Sequence, residues 1–153
     1  MPSSTKPPPA APLPAATLVL LQAEPFAVLM AKRHTDLAFG ADHWVFPGGR
    51  VDAADLEAAR HHPGIDEAAA RLACVREARE ETGIVLDAPD ALPALVPFAR
   101  WIAPPRTARR FDTWFFLAEA PPGAAPIADG GEIVETAFVA PSVMLERLAR
   151  GDV

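Results

Sequence analysis

The apolar positions divide the chain into short buried strands around one long helix. Two apolar runs, at 17–21 and 26–30, are separated by a polar segment that contains Pro25, a pattern typical of two strands joined by a turn. Further short apolar segments, several rich in aromatic and β-branched residues, predict extended structure at 44–46, 94–96, 98–102, 111–117, 133–134 and 137–139. Strands on both sides of a helix predict an α/β domain.

The helix is predicted over residues 66–82, with Asp66 as its N-cap and Gly83 directly after its end. Its interior is made of Ala, Leu, Arg and Glu, which are good helix formers. A shorter helix is expected at 142–150, between Pro141 and Gly151.

The first 15 residues contain prolines at positions 2, 7, 8, 9, 12 and 14. Proline fixes φ and lacks a backbone donor, so we expect a disordered or polyproline-like tail over 1–15 and one folded domain over 16–153. The simpler interpretation of this tail is a solvated leader without a function, and the alternative is a recognition motif.

Charge and cysteine content exclude several classes of function. The formal net charge of −6 argues against broad binding to nucleic acid or anionic membranes, although a local cationic pocket for one phosphorylated molecule is compatible with it. The single cysteine, Cys74, rules out an intramolecular disulfide and favours a reducing compartment, so we expect a cytoplasmic protein.

Three glutamates share one side of the long helix. At about 100° per residue, Glu77, Glu80 and Glu81 lie within one arc, opposite a face suited to packing on a sheet that consists of Cys74, Val75, Ala78 and Thr82. Like charges at these spacings cost about 0.2–0.5 kcal/mol per pair. A divalent cation would turn that repulsion into a ligand set, and oxygen ligands suit Mg²⁺ or Mn²⁺. The alternative is a solvated Arg/Glu helix face.

The segment from Arg76 to Ile84 (REAREETGI), preceded by Pro47-Gly48-Gly49, resembles the box of the Nudix hydrolase family. That box reads Gly, five residues, Glu, seven residues, then Arg-Glu-apolar-x-Glu-Glu-x-Gly-apolar. Its second half is matched at every defined position, with Ala78 as the apolar residue. Gly49 and Arg76 are 27 positions apart, about twice the family spacing, so an insertion lies around 52–66. Counted back from Arg76, the first glutamate position falls on Ala68.

An insertion at this place is similar to that of one Nudix branch, the peroxisomal coenzyme A diphosphatases and their bacterial relatives. The segments at 46–55 and 109–116 also resemble that branch. Its members usually continue well beyond the helix at 142–150, so we expect this chain to be short at its C-terminus.

The resemblance implies an α/β/α sandwich with a mixed central sheet. It also implies a hydrolase that cleaves the diphosphate linkage of a small nucleotide-like substrate with Mg²⁺ or Mn²⁺. Glu77, Glu80, Glu81 and the Gly49 carbonyl would hold the metal. Arg76 would brace these glutamates by ion pairing.

Residues outside the box supply further candidates for the site. Glu132 is a candidate for the base that orients or deprotonates water, or else an ordinary loop acid. Candidates for phosphate contacts are Arg33, Arg106, Arg109 and Arg110. Asp112, in an apolar strand, needs a partner, and Arg109 or Arg110 could supply it. A flexible loop is the expected structure around His61 and His62.

Three functions remain open at this point. The first function is the hydrolysis of coenzyme A or acyl-coenzyme A. The second is the hydrolysis of ADP-ribose or another nucleoside diphosphate derivative. In the third, a non-catalytic Nudix domain binds a nucleotide as a sensor. We expect neither a nucleic-acid nor a membrane partner, and a homodimer is left open.

Overall fold

The computed structural model describes residues 10–38, 41–87, 90–107 and 109–152. Seven strands and four helices occur in these ranges. The strands are β1 (Leu13–Gln22), β2 (Ala27–Arg33), β3 (Trp44–Val45), β4 (Gly48–Arg50), β5 (Val96–Ile102), β6 (Phe111–Glu119) and β7 (Ile133–Val139). The helices are α1 (Ala53–Ala59), α2 (Ala68–Thr82), α3 (Ala91–Ala94) and α4 (Pro141–Arg150).

The strands form one mixed sheet in the order β3-β2-β1-β6-β5, with β4 paired to β1 and β7 paired to β2. The pair β1–β6 is parallel, and the other pairs are antiparallel. The predicted α/β class with a mixed central sheet is therefore confirmed.

Side chains alternate between the two faces of the sheet, as the pleat of a strand requires. On one face, Leu18 and Leu20 of β1 pack with Cys74 and Ala78 of α2 in the larger apolar cluster. On the other face, Val19 of the same strand belongs to a smaller cluster to which Met144 of α4 contributes. Helices thus cover both faces, and the burial predicted for Cys74 and Ala78 is confirmed.

The helix α2 begins at Ala68, so the prediction that Asp66 caps it is wrong. Glu67 holds the N-cap position with φ at 55°, in the left-handed region, and makes no side-chain capping bond. The carbonyl of Asp66 instead accepts a hydrogen bond from Nε of buried Arg71 at 2.8 Å. The other end follows the prediction, since Gly83 closes the helix with φ at 68°.

Three other boundaries differ from the sequence-based prediction. The strand β1 starts at Leu13, inside the predicted tail, because Leu13 to Leu21 pair with β6; residues 1–9 of that tail lie outside the described part of the chain. Ala94 belongs to α3 rather than to a strand. The region around 52–66, which was predicted to be an insertion, contains the helix α1, and the turns after this helix, around His61 and His62, lack regular structure.

None of the helices in the described ranges combines the length and the apolarity that crossing a membrane would require.

Candidate active site

The bend at Gly48 and Gly49 contacts two glutamates of α2 directly. Gly48 N donates a hydrogen bond to Oε2 of Glu81 at 3.0 Å. A Cβ at Gly48 would lie 2.4 Å from the Ala16 carbonyl oxygen, and one at Gly49 would lie 2.3 Å from Oε1 of Glu77. Gly48 therefore requires glycine beside the backbone of β1, and Gly49 lets the sheet edge lie directly against the Glu77 carboxylate.

Arg76 joins the glutamate cluster to Asp55 of α1. Its guanidinium donates to Oδ1 and Oδ2 of Asp55 at 3.2 and 2.9 Å, and to the Arg50 carbonyl at 3.0 Å. It also donates to Glu77 at 2.8 Å and to Glu80 at 3.1 Å. These carboxylates, Asp55 first, raise the pKa of Arg76. The ion pairs with two of the glutamates are those expected of a bracing arginine.

Asp55 is the site residue that the sequence reasoning missed. It is buried, with 4% exposure, and completes a capping box with Asp52 at the start of α1. Counted forward from Gly49 with five intervening residues, the first acidic position of the box falls on Asp55; counted back from Arg76, it falls on Ala68, which has no charge. The insertion therefore lies after the first acidic residue of the box, and counting forward in the sequence could have shown this.

The three box glutamates lie in different environments. Glu81 is only 5% exposed, whereas the side chain of Glu80 is 58% exposed. Burial raises the pKa of Glu81 to about 8; the charges of Glu77 and Glu132 act in the same direction, and the Gly48 amide and Arg33 oppose them. Burial also raises the pKa of Glu77, against the lowering effect of Arg76.

Glu132 directly precedes β7, a strand that contacts α2, and its charge contributes to the raised pKa of both Glu77 and Glu81. It forms an ion pair with Arg33, whose Nη2 is 2.7 Å from Oε1 of Glu132. The turn before it is fixed by Oδ1 of Asp129, which accepts hydrogen bonds from the amides of Gly131 and Ile133, both at 2.9 Å. The structure thus brings together Arg33 and Glu132, which are 99 positions apart in the sequence.

The donor set fits a hard divalent cation. In the described ranges, the buried Glu81 carboxylate has one hydrogen-bonding partner, the Gly48 amide. The charges of Glu77 and Glu132 disfavour its ionised form, so additional positive charge would stabilise that form. In the described part of the chain, no three Asp, Glu, His or Cys side chains already converge as a metal site. Glu77 and Glu80 share Arg76, and Glu81 is held by Gly48. Because the three glutamates bind different partners in this structure, their assignment as one metal-ligand set stays a prediction.

The predicted arginine contacts at the start of β6 differ in the structure. Asp112 pairs with Arg100, at 2.7 and 2.6 Å, rather than with Arg109 or Arg110, because Arg100 lies on the neighbouring strand β5. Arg110 donates to the carbonyls of Ala103 and Ala10, so its side chain joins backbone segments. Arg109 is exposed. The contacts described for the glutamate cluster do not include Arg109 or Arg110, and their phosphate role stays a prediction.

The NUDIX domain family profile matches residues 11–152 of this sequence. The chain belongs to the Nudix family, and it is a hydrolase that acts on phosphorus-containing anhydrides. More specifically, the family and the fold define it as a pyrophosphate-hydrolysing enzyme of nucleoside diphosphate derivatives. No curated protein matches the chain.

Similar solved structures support this classification. A NUDIX hydrolase from Alicyclobacillus acidocaldarius is 26% identical with a TM-score of 0.80, covering 94% of this chain and 85% of its own. The NUDIX domain of Shewanella oneidensis NrtR, complexed with ADP ribose, is 16% identical with a TM-score of 0.64, covering 95% and 81%. An Ap4A hydrolase from C. elegans is 18% identical with a TM-score of 0.58, covering 88% and 84%. The last two show likeness of fold alone.

Proposed function

We propose that this enzyme hydrolyses coenzyme A or an acyl-coenzyme A at its diphosphate linkage, with Glu77, Glu80, Glu81 and the Gly49 carbonyl as the ligands of Mg²⁺ or Mn²⁺. The observation that carries the metal part is the buried Glu81 carboxylate, which meets the charges of Glu77 and Glu132 beside the Gly48-Gly49 bend. The bound ions would neutralise the phosphate oxygens and polarise phosphorus for attack.

The protein residues supply orientation and proton transfer. Arg76 holds Glu77 and Glu80 through its two ion pairs, and Gly48 holds Glu81 through its amide. Glu132 serves as the base: its carboxylate takes a proton from the attacking water while a new bond forms between the water oxygen and phosphorus. The bridging P–O bond breaks, and the products are two phosphate monoesters. A positioned base contributes about 10²–10⁴-fold to such a rate.

The insertion supports the choice of coenzyme A as the substrate. It follows Asp55 in α1, and Asp55 holds Arg76 at the cluster, so a segment similar to that of the coenzyme A diphosphatases directly adjoins this site. Coenzyme A would yield 4′-phosphopantetheine and an adenosine bisphosphate. ADP-ribose is the second candidate, favoured by the fold likeness to a NUDIX domain complexed with ADP ribose; its products would be AMP and ribose 5-phosphate.

The test is a side-by-side assay of the purified chain with coenzyme A, acetyl-coenzyme A and ADP-ribose. Each substrate is incubated with Mg²⁺ or Mn²⁺, and the products are separated by chromatography. We expect a higher kcat/KM for the coenzyme A substrates than for ADP-ribose. The reverse preference would overturn the substrate proposal while leaving the chemistry intact.

A control separates hydrolysis from simple binding. The Glu81→Gln variant is assayed in parallel, and calorimetry measures the affinity of both proteins for AMP. Binding of the nucleotide without hydrolysis of any of these substrates by the wild type would favour a nucleotide sensor over an enzyme.

A further inference from the structure

Arg33 and Glu132 join the ends of two neighbouring strands beside the glutamate cluster. Arg33 is the last residue of β2, and Glu132 directly precedes β7. Their side chains meet at 2.7 Å. The backbone is tied at the same place, since the amide of His34 donates to the Glu132 carbonyl at 2.8 Å. Both the main chain and the side chain of Glu132 are therefore bound to one end of β2.

The backbone hydrogen bonds and the side-chain ion pair of Glu132 have different effects on its carboxylate. The turn at Asp129 and the bond from His34 fix the backbone of Glu132. They leave the torsions of its side chain free, and that side chain is 46% exposed. An exposed glutamate loses rotamer freedom only where a contact compensates the lost entropy. Arg33 supplies this contact.

The environment of Arg33 differs from that of an arginine that receives a phosphate from solvent. Its side chain is 21% exposed. One Nη is engaged with Glu132, and Nε is buried without a hydrogen-bonding partner among the described residues. A phosphate-binding arginine typically presents its planar fork to two ligand oxygens at once. Here part of the fork is already bound to Glu132, and Nε is enclosed.

We infer that Arg33 is a positioning residue that holds the Glu132 carboxylate beside Glu77 and Glu81, rather than a contact for the substrate phosphates. The inference rests on the proposed role of Glu132 as the base. Three carboxylates near each other repel, so Glu132 without a cationic partner would turn toward solvent. Arg33 opposes this turn through its ion pair with Glu132.

A double-mutant cycle tests the inference. The variants are Arg33→Met, which removes the charge, Glu132→Gln, and the two combined. We expect Arg33→Met to lower kcat on the preferred substrate about tenfold, in the range for residues that orient a catalytic group, with KM changed less than twofold. The combined variant is expected to match Glu132→Gln, because Arg33 acts only through Glu132.

Two further variants separate positioning from a general loss of structure. Arg33→Lys keeps the charge and is expected to recover part of the kcat. Lys32→Met, at the neighbouring residue, whose ion pair is with Asp42 at 3.0 Å, is the matched control and is expected to leave kcat and KM unchanged. The affinity for AMP with Mn²⁺, measured by calorimetry, is expected to be the same in Arg33→Met and wild type.

The possible contrary results are distinct. A raised KM and weaker AMP binding in Arg33→Met, with kcat unchanged, would show a phosphate contact and overturn the inference. A second result would be that Glu132→Gln loses turnover and Arg33→Met lowers kcat by the same factor in that background as in wild type. This result would overturn the inference but would leave the role of Glu132 as the base intact. Wild-type turnover in Glu132→Gln would remove the base role and the inference together.

Discussion

Asp55 and Arg76 form a two-point ion pair that fastens α1 to the helix that carries the box glutamates. Asp55 is buried, and Arg76 is a quarter exposed, with 25% of its side chain accessible. Since Arg76 also holds Glu77 and Glu80, this pair connects α1 to two of the three proposed metal ligands.

Replacing Asp55 with Asn is expected to destabilise the domain and slow the reaction. The change leaves the partly buried guanidinium of Arg76 without its main partner. Breaking a buried pair costs about 3–5 kcal/mol. Because Arg76 is partly exposed, we expect the free energy of unfolding to fall by an amount at or below the lower end of that range. Chemical denaturation measures the free energy of unfolding. Glu57→Gln, on the same helix but exposed and paired with Arg60, is the control and is expected to change stability by less than about 0.5 kcal/mol. Equal stability of the two variants would contradict the assigned role of Asp55.

Glu81→Gln is expected to lower kcat at least about a hundredfold without unfolding the domain. The neutral amide keeps the shape of the side chain and relieves the repulsion from Glu77 and Glu132, so the melting temperature in the absence of metal is expected to stay equal or rise. Steady-state kinetics and thermal melting measure the two effects. Glu146→Gln, an exposed position on α4, is the control. Turnover equal to wild type in Glu81→Gln would refute its assignment as a metal ligand.

The stability of the metal-free domain is expected to fall as the pH rises from about 5 to 8. The pKa of Glu81 is raised from 4.5 in the reference state to about 8 in the fold, so the folded protein favours the protonated carboxyl. That stabilisation is complete below the unfolded pKa and is lost as the pH passes through the folded pKa. Melting curves in the presence of a chelator measure this effect. Glu81→Gln is expected to flatten the dependence, and an unchanged slope in this variant would contradict the raised pKa.

The two adjacent glycines are expected to respond differently to alanine. Gly48→Ala places a Cβ 2.4 Å from the backbone oxygen of Ala16, which cannot move without distorting β1, so the main effect is on stability. Gly49→Ala meets the carboxylate of Glu77 at 2.3 Å, which can rotate away, so the main effect is on kcat. Melting temperature and kinetics of both variants distinguish these outcomes. Gly64→Ala, with nothing within 4 Å of the added Cβ, is the control. A larger loss of stability in Gly49→Ala than in Gly48→Ala would contradict this account.

The sequence by itself determined the fold class, most strand positions and the helix with its glutamates. These features depend on local periodicity, on the glycine after α2, and on a contiguous motif, and all of them can be seen within short windows. The burial of Cys74 and Ala78 followed from the same helical periodicity, because it sets which face of α2 lies on the sheet.

Only the tertiary structure decided how distant residues meet. Asp55 reaches Arg76 across 21 positions, and Arg33 meets Glu132 because β7 pairs with β2. Asp112 pairs with Arg100 rather than with a neighbour in sequence because β5 lies beside β6. The different burial of Glu80 and Glu81 also depends on the Gly48 bend, which packs against one of them. Sequence spacing cannot give these partners, since strand pairing and helix docking bring them together in space.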